Sequence, residues 1–507
     1  MMIAYSHSEV VLPKFPGGAL LTGFYIDRSS HVPIYRQIDT ELRRLILEGA
    51  LAAKQKLPST RELAMELGVS RITVKSVYEQ LVAEGYAQAK TGSGTFISEG
   101  LDFETTPKIT VPKKNIGLDD VKISTRAASI MSSQASVRYG ATAPFRPGVP
   151  ALDLFPVKLW NKYCLDALNG DERNNLSYGQ INGSAALRTS IANHLNDARG
   201  VKVDPEQIVV TSGAQQAFVL IAFILLNKQD TVWYEDPGHI AGRDVMQLMG
   251  ANVAPVPIDS EGIDLDFAKQ MHPRPTLIFT TPSHQQPLGT TMSLTRRLAL
   301  LNYAHENDSW IIEDDYDSEF RYRGRPLPAL SALDRERRVF YVGTFSKSMF
   351  SAIRIGYVVV PPWLVDTFSK ARNLLGQSSS PVIEHALSRF IDDGRLAEHI
   401  RKMRRIYRER RDTLLDCIIT DCADCFVPQK TDAGMHILAH LKNNVDDNLA
   451  HRALLDAGIE SLPLSVYCID PFKCSALVLG FSGVPKNRMP KLVRRMSKVL
   501  QSISLNQ

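Results

Sequence analysis

The sequence predicts an α/β chain of two folded modules, a small helical one closed by a β-hairpin and a large one built on a mostly parallel central sheet. Three observations predict it. From residue 31 to 98, short apolar stretches with helical spacing are punctuated by glycine and end in a small hairpin. From 99 to 140 that periodicity lapses into Pro107, Pro112, Lys113, Lys114 and a Ser/Ala/Thr-rich stretch, which reads as an extended linker with a little helix near 126–133. From 141 to 507, short apolar strands alternate with helical stretches, the pattern of an α/β domain with large and small subdomains. The length agrees: 507 residues at roughly 150 per domain make about three domain-sized pieces. Apolar residues at 44% and charged residues at 22% lie near globular averages, which excludes a disordered chain and a fibre.

In the small module, Ile34, Ile38, Leu42, Leu45 and Ile46 recur in threes and fours between Pro33 and Glu48, and Gly49 stops the run. Ser59 and Glu62 form a capping box, each side chain satisfying an otherwise orphaned backbone N–H. A second helix therefore opens there, with Leu63, Ala64 and Leu67 inward and Gly68 at its end. Val69 fills the turn. Ser70 caps a third helix whose apolar stripe is Val74, Val77, Tyr78, Leu81 and Val82, and Gly85 closes it. Tyr86 to Lys90 and Thr95 to Ile97 flank Thr91-Gly92-Ser93-Gly94, a hairpin whose glycines tolerate positive φ. Helix, helix, tight turn, helix, hairpin is a winged helix-turn-helix.

Its case for DNA is local. Ser70, Arg71, Thr73 and Lys75 are expected on the exposed amino-terminal side of the third helix, where dipole and hydroxyls favour phosphate and Arg71 can reach a guanine edge. Arg61 is expected to project toward a backbone strand, and Gly94 keeps the wing tip slim enough for a minor groove. Between Leu57 and Ile97, Lys+Arg and Asp+Glu both number four, and the whole chain carries only 59 − 54 = +5. Bulk charge permits nucleic acid without arguing for it, and a protein-binding winged helix shares the pattern.

Pro33-Ile34-Tyr35, Leu57-Pro58-Ser59-Thr60-Arg61-Glu62-Leu63-Ala64, Gly68-Val69-Ser70-Arg71-Ile72-Thr73-Val74, Glu84-Gly85-Tyr86 and Gly92-Ser93-Gly94-Thr95-Phe96-Ile97 resemble the DNA-binding domain of the GntR family. That resemblance implies double-stranded operator DNA as a partner.

The large module places polar groups after four strands, where an α/β sheet usually holds its ligand. Ile208 to Thr211 precedes Ser212-Gly213-Ala214-Gln215-Gln216 at the start of an apolar helix, small residues that let backbone N–H groups meet an anion; a tight strand-to-helix turn explains them as well. Leu277 to Thr280 leads into Thr281-Pro282-Ser283-His284-Gln285-Gln286-Pro287-Leu288-Gly289, a turn dense in hydrogen-bonding side chains. Trp310 to Glu313 ends in Asp314-Asp315-Tyr316, and Arg338 to Gly343 ends in Thr344-Phe345-Ser346-Lys347, with Arg354 seven residues on. A lysine so placed can form a Schiff base with an aldehyde. A nearby aspartate can keep a ring pyridinium protonated, Tyr316 can donate to a phenolate oxygen, and Arg354 can clamp a phosphate. Together these are the requirements of pyridoxal 5′-phosphate.

Phe145-Arg146-Pro147-Gly148-Val149-Pro150, Tyr178-Gly179, Glu235-Asp236-Pro237-Gly238, Glu313-Asp314-Asp315-Tyr316-Asp317-Ser318-Glu319-Phe320 and Gly343-Thr344-Phe345-Ser346-Lys347 resemble the class I subgroup of fold-type I aminotransferases. The resemblance implies that Lys347 carries the internal aldimine and is the catalytic residue, and that Asp314 faces the pyridine nitrogen. It implies that Tyr316 meets the 3′-oxygen, that Gly213, Ala214, Gln215, Thr344 and Arg354 hold the phosphate, and that Tyr178 reaches the neighbouring subunit's phosphate. Two departures stand out. His239 occupies the place of a cofactor-stacking tyrosine, and its imidazole either stacks or serves as a core, hydrogen-bonding group. Ser475 to Gly480 lacks the late-strand arginine that grips an α-carboxylate, which leaves another cation such as Lys473 or a ligand that is not an ordinary α-amino acid.

Joined, the two halves resemble the MocR/GabR-type regulators. That resemblance implies a domain-swapped homodimer and a transcription regulator that senses a small amine or amino acid effector. A working aminotransferase with an appended DNA-binding module is the alternative, and a large domain kept only for dimerisation a third. Cys417, Cys422 and Cys425 lack a fourth ligand at finger spacing, so ordinary thiols and no metal are expected. The longest apolar run, Ala217 to Leu226, is too short for a span of about 20 residues, and Met1 to Val11 lacks the build of a secretory signal. A cytoplasmic chain with no membrane partner is expected.

Overall fold

The computed structural model describes residues 26–99, 121, 123–124, 127, 130, 143–169, 173–324, 327–376, 379–470 and 474–504. The linker expected over 99–140, with its short helix, and Lys473 lie almost wholly outside them. The chain divides into two compact units, 1–121 and 122–507.

In the first unit, α1 (Ile34–Leu47), α2 (Thr60–Glu66) and α3 (Arg71–Ala83) precede a hairpin of β1 (Ala87–Lys90) and β2 (Gly94–Ile97). Pro33 caps α1 without a side-chain hydrogen bond, whereas Ser59 and Glu62 close both arms of the expected box at α2. Lys90 pairs with Gly94, so the wing turns where the glycines allow positive φ. Ile38, Leu42, Leu63, Val74 and Leu81 are fully buried in one core, each contributing about 1.5–3 kcal/mol. Replacing Ser59 by alanine orphans one backbone N–H and is expected to cost about 1 kcal/mol, read as a lower denaturant midpoint for this unit.

In the second unit an eight-stranded sheet runs in the order β3 (Ile208–Thr211), β10 (Gly356–Val359), β9 (Val339–Thr344), β8 (Trp310–Asp315), β7 (Leu277–Thr280), β4 (Thr231–Asp236), β5 (Asn252–Asp259), β6 (Gly262–Ile263). The pairs from β9 through β5 are parallel, and β10 is antiparallel to both β9 and β3. The carboxyl ends of β3, β9, β8, β7 and β4 therefore open on one edge. β8 and β9 differ from the strands expected: β8 continues through Asp314 and Asp315 because their backbones pair with Val342 and Gly343, and β9 runs from Val339 to Thr344. Most of the apolar run at 217–226 lies in the helix Ala214–Leu225, where Ala217, Phe218, Leu220, Ile221 and Ala222 are buried and Phe223 is exposed.

A smaller antiparallel sheet, β11 (Phe426–Pro428), β12 (His436–Leu441), β14 (Ala476–Gly480) and β13 (Leu462–Pro463), packs with the helices Arg395–Asp421 and Met489–Ser504 around a separate core. Cys417, Cys422 and Cys425 are buried there as free thiols, and burial pushes Cys422 up to about 12. Among the described residues no helix is long and apolar enough to cross a membrane.

Candidate functional site

Strand register gathers the polar groups. Gly356, at the start of β10, pairs with Thr211 on one side and with Thr344 on the other. Gly213, two residues past Thr211, and Arg354, two residues before Gly356, are thereby drawn to the same edge as Thr344. A Cβ on Gly356 would lie 2.8 Å from the backbone of Gly213, so only glycine permits that approach. Gly213 has φ +100° and caps the helix Ala214–Leu225, leaving its first N–H groups open. A Cβ built on Gly213 would come 3.7 Å from Arg354 Nη1, which locates the guanidinium against that positive helix end. Arg354 itself holds φ +50°, a left-handed conformation that costs a non-glycine residue about 1 kcal/mol or more.

A cavity of about 330 Å³ opens there. Its wall includes Gly213, Ala214, Gln215, His239, Asp314, Tyr316, Thr344, Lys347 and Arg354, nine of the ten residues expected for a cofactor. Tyr178 does not join them: in the single chain its side chain is fully exposed. Lys347, in the short helix after β9, sends its ammonium to the carbonyl of Gly148 at 2.9 Å. A Cβ on Gly148 would stand 2.5 Å from Nζ, and its φ of +72° also demands glycine.

Alternation along β8 splits the two aspartates. Asp315 points away from the cavity and is paired by Arg199 at 2.8 Å and the Tyr341 hydroxyl at 2.6 Å. Asp314 faces the cavity, is 3% exposed, and its Oδ1 has no hydrogen-bond partner among the described residues. Burial first, then the charges of Asp315, Asp317 and Glu235, raise its pKa well above the usual carboxylate range. A cationic N–H placed against it would relieve that penalty.

Tyr316 donates to the carbonyl of His284 and lies 3.0 Å from His284 Nδ1; burial pushes its pKa well up, so it stays a phenol. His239 Nδ1 accepts from Gly242 N at 3.2 Å and caps the helix Ile240–Leu248. Its ring lies parallel to Phe279 with centroids 6.2 Å apart while also lining the cavity. Buried Glu235 accepts from Thr280, Thr281 and Gln285, tying the loop after β7 to the end of β4. From that loop, from the turn after β8 and from the start of β12 come wall residues that strand-end reasoning did not single out, Gln286, Asp317, Met435 and His436. The dense polar turn at 281–289 was the available signal for Gln286.

The chemistry of this set fits pyridoxal 5′-phosphate. An open helix end with a guanidinium suits a phosphate, an orphaned buried carboxylate suits a protonated ring nitrogen, and a primary amine meets an aldehyde.

On the first unit, Arg61, Ser70, Arg71, Lys75 and Gly94 are exposed and Thr73 is half-buried. The Ser70 hydroxyl accepts from Thr73 N at 3.1 Å and meets the Thr73 hydroxyl at 2.8 Å, so both are engaged in capping α3. Arg71 Nε reaches Thr60 at 3.3 Å across the turn, and Lys75 sits 3.6 Å from Glu79. Ile72 is 79% exposed beside them, an apolar side chain of the kind that suits a thymine methyl.

Residues 34–97 match the family described as bacterial regulatory proteins, gntR family, and residues 151–495 match aminotransferase class I and II. The chain is 36% identical over 482 residues to the protein named "Probable rhizopine catabolism regulatory protein MocR" of Rhizobium meliloti, covering 95% of each. It is 31% identical to the pyridoxine biosynthesis transcriptional regulator PdxR of Corynebacterium glutamicum, covering 92% of this chain and 96% of that one. A crystal structure of Pyrococcus horikoshii kynurenine aminotransferase, in complex with PMP, superposes with TM-score 0.66 at 25% identity over 76% of this chain and 96% of that one. The multiple substrate aminotransferase of Thermococcus profundus gives 0.66 at 26% over the same shares. The large domain has the fold of these aminotransferases.

Proposed function

The chain belongs to the MocR-type family, gntR-class regulators that carry an aminotransferase class I and II domain, and from that membership we propose how it works. It is a DNA-binding transcription regulator that binds pyridoxal 5′-phosphate and adjusts its hold on operator DNA to a small amine or amino acid. When bound, the cofactor supplies an aldehyde reactive toward primary amines and an electron-withdrawing ring. Lys347 is the attachment point, Asp314 holds a proton at the ring nitrogen, and Tyr316 hydrogen-bonds the ring oxygen. Arg354 and Thr344, with the N–H groups at Gly213, Ala214 and Gln215, hold the phosphate. The observation that carries this reading is the convergence of Lys347, Asp314, Tyr316 and Arg354 on one cavity in a chain that also carries a winged helix.

The functional unit is a domain-swapped homodimer in which exposed Tyr178 reaches the partner's phosphate. For an effector to regulate, it must favour one conformation of that dimer, typically by ~1–3 kcal/mol. On α3, Arg71 reads a base edge. Arg71→Ala is expected to weaken operator binding by about 1–3 kcal/mol, roughly fivefold to 150-fold, in a fluorescence anisotropy titration. Undiminished affinity would remove it from the interface. The regulator is separated from a working aminotransferase by incubation with amines and a keto acid. A visible absorption change that stops after one equivalent and alters DNA affinity supports the proposal; sustained keto-acid turnover without an effect on DNA overturns it.

A further inference from the structure

Part of the cavity wall remains once the groups named for the cofactor are set aside, and it is built from acceptors. Asp317 is 1% exposed and lines the cavity. Neither of its oxygens has a hydrogen-bond partner among the described residues, although His284 Nδ1 comes within 3.2 Å of Oδ1. His436, 5% exposed, directs Nε2 to the carbonyl of Pro287 at 3.1 Å. A neutral imidazole donating there keeps its other nitrogen as an acceptor. His284, Asp317 and His436 bring one polar atom each to within 4.8 Å of one another. The cations of the described wall are Lys347 and Arg354, the first committed to the aldehyde and the second standing at Gly213.

We propose that Asp317 makes this cavity selective for a primary amine whose far end carries a hydroxyl or a second ammonium, and against one ending in a carboxylate. The inference rests on the amine-sensing reading given above. An orphaned, buried carboxylate gains a charge-assisted hydrogen bond from either donor group. A second carboxylate brought beside it would meet like charge with little water to screen it. Asp317 is thus a specificity-determining residue, and the effector class is the hydroxyamine or diamine rather than the amino acid.

The test uses the full-length protein loaded with pyridoxal 5′-phosphate and straight-chain primary amines of two to five carbons, ending in methyl, hydroxyl, ammonium or carboxylate. Half-saturation is read from the visible absorption change. At the best chain length, the hydroxyl or ammonium member is expected to half-saturate about tenfold lower than its carboxylate counterpart. Asp317→Asn is expected to compress that ratio to about threefold or less. Carboxylates that bind as well or better, or a ratio unmoved by Asp317→Asn, overturn the proposal; should the variant fail to fold, the native series decides alone. Hydroxylamine, which attacks any bound aldehyde, separates the two readings. A protein that yields to hydroxylamine yet prefers carboxylates loses this inference and keeps its proposed function, whereas one that takes up no cofactor loses both.

Discussion

Lys347→Ala protein, incubated with pyridoxal 5′-phosphate and desalted, is expected to emerge without the visible band near ~420 nm that the native protein retains. The reason is positional. Lys347 is the lysine of the described cavity wall, and its ammonium is fixed 2.9 Å from the Gly148 carbonyl by a glycine that any Cβ would push away. No other primary amine of that wall can replace it. Borohydride reduction followed by mass spectrometry gives the independent check: the native chain should gain one reduced phosphopyridoxyl group and the variant none. Because the first unit has its own core, the variant should keep a folded winged helix. A variant that still traps the adduct would move the site elsewhere.

What was legible beforehand follows from how local each determinant is. The capping box at Ser59, the Ser70 cap and the glycines of the wing act over three or four residues, and their elements start within a residue or so of where the side chains place them. Lys347, Asp314 and Arg354 were legible because they stand next to apolar strand runs, and a parallel sheet collects strand ends on one edge. Asp317 and His284 approach to 3.2 Å only because β7 and β8 are neighbours, and sequence spacing carries no trace of that. His436 and Met435 reach the cavity from the small sheet, more than a hundred residues downstream of β8. The extension of β8 had the same cause: two aspartates look like a loop until the strand beside them supplies backbone partners. His239 shows the opposite case, where position was plain but role was not. Its ring nitrogen caps its own helix while the ring lines the cavity, and the hydrogen bond depends on a turn that spacing does not reveal.

Arg354→Gly separates what this residue does for folding from what it does for the ligand. At φ +50° the arginine backbone is strained, and glycine adopts that conformation freely. Without cofactor, the variant is expected to be no less stable than the native protein and up to ~1 kcal/mol more stable, the strain recovered offset by glycine's greater chain entropy when unfolded. With cofactor, the sign reverses. The phosphate loses its guanidinium at the end of the helix Ala214–Leu225, and a hydrogen bond to a charged group is worth about 1.5–3 kcal/mol. Affinity for pyridoxal 5′-phosphate should therefore fall by about tenfold or more, measured by equilibrium dialysis. Thermal melts should show the cofactor-induced rise in Tm shrinking in the variant while the apo midpoint holds or climbs. Only a residue kept in a costly conformation for the sake of its side chain gives that pair of results. A variant that is destabilised without ligand, or that binds the cofactor with native affinity, would show that Arg354 supports the turn before β10 and not a phosphate.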